Sequence, residues 1–175
     1  MRQFGVLLLL AFLVVCATWT FAQSSPARVC VADIDTREPS VSPTATRDAL
    51  IKFLGKQKGL QAEEVALNTS DAAEAMTQAK DKQCDYLIKT TVSEVHSESG
   101  YTTTQAGGIS TQSGVNLLTF FVTTSYRMYK VSDGTEQASG SVKASDRGSA
   151  QAAVIATTKK IAEKVAGPIK TGAAK

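Results

Sequence analysis

Residues 129–145, Tyr-Lys-Val-Ser-Asp-Gly-Thr-Glu-Gln-Ala-Ser-Gly-Ser-Val-Lys-Ala-Ser, decide the fold. Asp133-Gly134 is a tight-turn pair, because glycine and aspartate tolerate the backbone angles that a short hairpin connection needs. Beyond it Ala138, Gly140, Val142 and Ala144 alternate with Gln137, Ser139, Ser141, Lys143 and Ser145. Strict period-two alternation puts one face of a strand in a core and the other in water. Before the turn, residues 115–131 carry Leu117, Leu118, Phe120, Phe121, Val122, Tyr126, Met128 and Tyr129, a run longer than the usual strand and therefore one expected to bend or bulge. The carboxyl half of the chain thus contains an antiparallel meander.

Working towards the amino terminus, Cys84-Asp85-Tyr86-Leu87-Ile88 opens another β-rich segment that continues through Thr90, Val92 and Val95. Residues 97–114 then turn to Ser, Thr, Gly and Gln, a composition poor in apolar surface, and read as a flexible hairpin loop. Two helix-length segments lie upstream. Ser42 before Pro43 supplies a cap and a first-turn proline, and Leu50, Phe53 and Leu54 form a stripe that Gly59 closes, giving a helix over about 43–57. Asn68-Thr69-Ser70-Asp71 offers capping side chains ahead of Ala72, Ala75, Met76 and Ala79, giving a second helix over about 71–82 whose small residues allow close approach to a sheet.

Residues 29–34 form the first strand, and 62–67, with Glu63 and Glu64 inside it, an edge strand guarded by charge. From Ser149 the pattern is helical again, with Val154, Ile161 and Val165 on one side and Lys159, Lys160, Glu163 and Lys164 on the other. Gly167-Pro168 is expected to stop it, leaving 171–175 as a disordered tail.

The order βαβαβββα joins two right-handed parallel crossovers to the meander. It predicts a single α/β domain with a mixed five-stranded sheet in the order 2-1-3-4-5, strand four antiparallel to the rest, and helices on both faces. That domain spans 23–170. Residues 1–22 read as a cleavable export signal: Arg2, an apolar run over 4–15, and the small residues Thr20 and Ala22 ahead of a cut before Gln23. Lipidation at Cys16, bringing weak membrane association, is the alternative, against which Val15 stands where such signals place a small residue.

The 19 Lys and Arg and 16 Asp and Glu are interspersed, a balance that makes no field for nucleic acid, and no stretch after residue 22 is long and apolar enough to span a bilayer. Export would carry Cys30 and Cys84 into an oxidising compartment. Both stand near the starts of neighbouring parallel strands only about 4.8 Å apart, so a disulfide and two buried thiols are both open.

Asp33 and Asp35 lie at the carboxyl end of the first strand, where open α/β sheets bind ligands, and their spacing invites comparison with the Asp-x-Asp-x-Thr nucleophile motif of phosphatases. Thr36 is one place too early for that motif, Arg37 occupies its position, and no later acidic pair would hold magnesium. His96 is the single histidine, so any Ser-His or Cys-His site must use it. Gly107-Gly108 lacks the following lysine and helix of a phosphate loop, Asn68-Thr69-Ser70 matches a glycosylation acceptor that would matter in a eukaryotic pathway, and no metal or cofactor is expected.

Three segments carry a resemblance: Val29-Cys30-Val31-Ala32-Asp33, Cys84-Asp85-Tyr86-Leu87-Ile88-Lys89-Thr90-Thr91-Val92, and Tyr129-Lys130-Val131-Ser132-Asp133-Gly134-Thr135-Glu136. In layout the chain resembles a group of bacterial envelope α/β domains: the N-terminal domain of the Tol-Pal translocation protein, the curli-secretion lipoprotein, and lipoprotein activators of penicillin-binding proteins. The resemblance implies a periplasmic or outer-membrane-associated, non-catalytic binding or assembly domain with an envelope protein as partner. Tyr101 and Ile109 in the 97–114 segment are the contact residues expected for it. A small metal-dependent hydrolase or phosphotransfer enzyme using Asp33 and Asp35 is the alternative, and an oligomeric outer-membrane assembly or pore component is the second.

Overall fold

The computed structural model describes residues 26–60, 62–106 and 109–173, with backbone alone over 101–117. The expected export signal, its cleavage point before Gln23 and Cys16 lie outside the described residues. The elements run β1 (Ala27–Val31), α1 (Pro43–Leu54), β2 (Ala62–Ala66), α2 (Ala72–Asp81), β3 (Tyr86–Ala106), β4 (Ile109–Lys130), β5 (Glu136–Asp146) and α3 (Ala150–Ala173). They form one sheet in the order β2-β1-β3-β4-β5. β1 pairs in parallel with β2 (Cys30 opposite Val65) and with β3 (Cys30 opposite Leu87), while β4 runs antiparallel between β3 and β5. Fold class, strand order and the direction of strand four are as the sequence implies.

Alternation along the strands builds two cores. On one face Val29, Val31, Ile88, Tyr126, Met128 and Val142 meet Leu50 and Leu54 of α1 and Ile161, Val165 and Ile169 of α3. On the other, Cys30, Ala32, Leu87 and Val131 meet Leu67 and the small residues Ala75 and Ala79 of α2. Ile34, Val41 and Val122 close the end of the sheet under Ala150, Ala153 and Val154. The Val, Leu, Ile and Met side chains in these clusters each contribute about 1.5–3 kcal/mol when fully removed from water.

The helix starts follow cap chemistry. Ser42 Oγ accepts from Ala45 N at 3.3 Å, and Asp71 Oδ1 accepts from Ala73 N at 2.9 Å and Glu74 N at 2.8 Å. Of the four capping side chains over 68–71, Asp71 is therefore the one that caps α2. Thr69 Oγ1 adds a bond to Glu74 Oε2 at 2.8 Å and accepts from Asp71 N at 3.2 Å. α1 ends at Leu54, and Gly59 serves the following turn with φ 71°. Its missing Cβ is what that turn requires.

Two expectations are corrected. Among the described residues, 97–106 and 109–114 are strand rather than loop: the β3–β4 ladder runs from Tyr86 opposite Lys130 out to Ala106 opposite Ile109, with register shifts at Val92/Glu94 and Gly100/Thr102. Threonine-rich backbone has high strand propensity, and a ladder already fixed by the core can extend by pairing alone. α3 passes through Pro168 to Ala173, overriding the expected stop at Gly167-Pro168 and the tail from 171; 174–175 are outside the described residues. An interior proline costs about 3 kcal/mol, but the turn carrying it buries Val165, Ala166 and Ile169, an apolar gain of comparable or greater size. The Lys170 ammonium also donates to Lys58 O.

Candidate binding surface at the strand ends and the β3–β4 arm

Asp33 leaves β1 at its carboxyl end, as a ligand-binding carboxylate would, but it is committed elsewhere. Arg47 of α1 places Nη1 3.1 Å from Asp33 Oδ1, and its side chain is only 8% exposed. The same nitrogen donates to Asn68 Oδ1 at 2.6 Å and to Leu67 O at 3.1 Å, and Arg47 Nη2 lies 2.9 Å from Asp48 Oδ1. Asp33 N donates to Thr69 O at 3.0 Å. One guanidinium thus ties the ends of β1 and β2 to α1, and Asp33 acts as its counter-charge. Sequence reasoning missed Arg47, although it stands one turn before Leu50 and two before Leu54 on the apolar stripe, the position where a lone arginine is buried with a partner.

Asp35 is exposed and is held by its backbone. Its N–H donates to Thr90 O at 2.9 Å and its carbonyl accepts from Val92 N at 2.9 Å. It borders an open hollow of about 440 Å³ with Thr36, Arg37, Glu38 and the segment 91–95 of β3. The hollow is mixed in charge, and Glu38 already accepts from Ser40 Oγ at 2.7 Å. Asp33 and Asp35 therefore sit in different surroundings: one is tied into the fold and the other faces water. No group of three His, Cys, Asp or Glu among the described residues is arranged to hold a metal ion.

His96 is half exposed on β3. Its ring stacks on Phe121 with centroids 5.1 Å apart, and its Nδ1 and Nε2 lie 3.5 Å from Glu94 Oε1 and 3.8 Å from Glu98 Oε1. Both neighbours are carboxylates two residues away on the same strand face, an arrangement that supplies no nucleophile for a Ser-His or Cys-His site. Cys30 and Cys84 are joined in a disulfide with Cα atoms 5.8 Å apart, buried beneath α2.

The sheet is covered unevenly. α1 and α3 share one face, whereas α2 covers the other only over β2, β1 and the start of β3. Thr123, Ser125, Arg127 and Tyr129 of β4, and Ser139, Ser141 and Lys143 opposite them on β5, form a polar face with no helix on it among the described residues. β5 ends in register at Asp146 opposite Phe120. Past that pair, β3 and β4 continue as a two-stranded arm to Ala106 and Ile109. Tyr101 and Ile109 lie on the strand backbone of this arm; their side chains are outside the described residues. At the arm's base Leu118 is 43% exposed, the one large apolar side chain so placed among the described residues.

No family model matches the chain, and no curated protein matches it either. Solved structures do share its fold. A PelC variant, a dodecamer from Paraburkholderia phytofirmans, aligns with a TM-score of 0.52 at 15% identity, covering 83% of this chain and 89% of that one. A hypothetical protein from Chlamydia trachomatis gives 0.53 at 10% identity over 82% and 97%. A Xanthomonas campestris protein gives 0.51 at 11% identity over 85% and 88%. At these identities the likeness is one of fold, and the layout resemblance read from the sequence holds at that level.

Proposed function

We propose that the chain is an exported, non-catalytic binding or assembly domain of the bacterial envelope. The observation that carries this reading is the β3–β4 arm, which leaves the packed body at Phe120 and presents strand backbone and Leu118 for contact. A two-stranded ribbon is marginal in water on its own, so an arm of this length fits a surface that gains its order from a partner. The pairing of Asp33 with Arg47 counts against the hydrolase reading. The buried disulfide and the apolar 4–15 run support export to an oxidising compartment, periplasmic or associated with the outer membrane. Tyr101 and Ile109 are the proposed contact residues of the arm. The dodecameric state of PelC favours assembly as the second reading of the same surface.

In-cell cross-linking of the tagged chain, with and without residues 99–112, tests the proposal. A cross-linked species lost on deletion of the arm is expected. Unchanged recovery would take the arm out of the reading. Metal-dependent phosphatase activity abolished by Asp33→Asn would replace the reading with the enzymatic one.

A further inference from the structure

Natural sheet edges are guarded by charge, proline or short length, because an unpaired row of N–H and C=O groups pairs with any strand it meets. The two outer edges of the arm differ in this respect. The β3 side carries Glu94, His96 and Glu98 at its base. The β4 side carries nothing comparable: Ile109 to Tyr126 hold no Asp, Glu, Lys, Arg, His or Pro, whereas on β3 the uncharged stretch is the shorter Ser99–Ala106. β5 shields β4 only from Phe120 onward. Among the described residues, Ile109–Thr119 therefore has nothing on its outer side, and Leu118 stands exposed at its foot.

We propose that this edge is a homodimer interface, in which Ile109–Thr119 of β4 pairs antiparallel with the same segment of a second copy across a two-fold axis. The inference rests on the binding-or-assembly reading and names the partner of the same arm. Three properties select a second copy. The edge is uncharged and so matches an uncharged strand, and the segment itself is the longest uncharged stretch with a free edge among the described residues, Ser99–Ala106 of β3 and Gln137–Val142 of β5 being shorter. An isologous antiparallel pair presents identical residues to each other and closes after two chains, leaving no unguarded β4 edge to propagate. Glu94, His96 and Glu98 at the base of β3 disfavour head-to-tail pairing that runs β3 along the whole of the β4 edge, which would otherwise build open chains or rings. Across the interface β3-β4-β4′-β3′ becomes a continuous four-stranded ribbon, which supplies the strand number that a lone hairpin lacks.

Light scattering of the full exported chain over a concentration series tests the pairing, combined with amide hydrogen exchange over 109–119. Twice the chain mass is expected, with protection of 109–119 that falls on dilution. Leu118→Lys places a cation at the foot of each edge and is expected to raise the dissociation constant about tenfold or more. Ser99→Lys, opposite Leu118 on β3, is expected to leave it within a few-fold. Circular dichroism confirms that each variant keeps the fold. A monomer at every concentration, a dimer indifferent to Leu118→Lys, or a dimer lost equally with both lysines would overturn the proposal. A monomer that still cross-links through the arm to a different envelope protein would overturn the dimer and leave the binding-domain reading standing.

Discussion

Arg47 Nη1 lies 3.1 Å from Asp33 Oδ1, joining the middle of the first helix to the end of the first strand through side chains that are 8% and 17% exposed. Removing the cation leaves a carboxylate, a backbone carbonyl and the Asn68 amide oxygen without their donor. Arg47→Met is therefore expected to cost about 3 kcal/mol, and Asp33→Asn, which keeps an acceptor, about 1 kcal/mol. Urea unfolding of the two variants measures the difference. A cost for Asp33→Asn as large as that for Arg47→Met would mean that the carboxylate matters beyond this pair.

The Cys30–Cys84 bridge closes a loop of sequence separation 54. Chain entropy alone assigns such a link about 4 kcal/mol, with about 2–4 kcal/mol the usual range. The Cys30→Ala, Cys84→Ala double variant should lose stability on that scale. The thiol count of the unfolded, unreduced chain should fall by two relative to the reduced one. A double variant as stable as the parent would show that the bridge is incidental to folding.

Much of this fold was legible because alternation and capping are local. The Gln137–Ser145 pattern, the Asp133-Gly134 turn and Ser42-Pro43 each specify an element without reference to the rest of the chain, and their order leaves few topologies. The arm and the last turns of α3 were not legible, since both are decided by pairing and burial supplied from elsewhere. Ser and Thr over 97–114 carry no apolar signal, so their strand state depends on the ladder that Tyr86 to Thr90 begins. Pro168 stays helical because Ile169 has a slot between α1 and the sheet. Asp33 was found from its place in the topology. Its role was not, because that role belongs to Arg47, whose burial appears only once α1 is docked.

Thr124 and Thr157 are both fully buried where α3 crosses β4. Thr157 Oγ1 lies 2.8 Å from Thr124 Oγ1 and 2.6 Å from Val154 O. A hydroxyl has one proton, so with the carbonyl accepting from Thr157, Thr124 donates to Thr157. Thr157→Val should cost about 1–2 kcal/mol by stranding the Thr124 donor, and Thr124→Val, Thr157→Val together should cost less than the sum of the single changes. A double-mutant cycle by thermal unfolding reads the coupling, and additive costs would show that the hydroxyls act independently.

Gly172 in the last turn of α3 abuts Tyr86, so that a Cβ there would overlap the phenol oxygen and crowd the ring carbon that bears it. Burial of that ring also pushes the Tyr86 hydroxyl above its ordinary range, with Asp85 adding to the effect. Gly172→Ala should fray the end of α3 or displace Tyr86, with faster amide exchange over 169–173 as the readout. Tyr86→Phe in the same chain should restore part of the protection, because it removes the atom in overlap. No recovery in the double variant would place the constraint on the backbone of the last turn.

Asp71 caps α2, and the N–H groups of Glu74 and Ala73, with a smaller contribution from Lys89, hold its carboxyl below the ordinary value of 3.8. A depressed folded-state pKa means that ionised Asp71 favours the folded state. Its contribution is complete above the unfolded value, near pH 4, and is lost as pH falls through the lower folded value. Asp71→Asn keeps an oxygen for the same N–H groups and removes the titration. The stability difference between parent and variant should therefore be constant from neutral pH to about pH 5 and shrink below pH 4, as followed by urea unfolding across that window. A difference that grew on acidification would mean that protonated Asp71 is the better cap, and that the charge at the start of α2 opposes the fold.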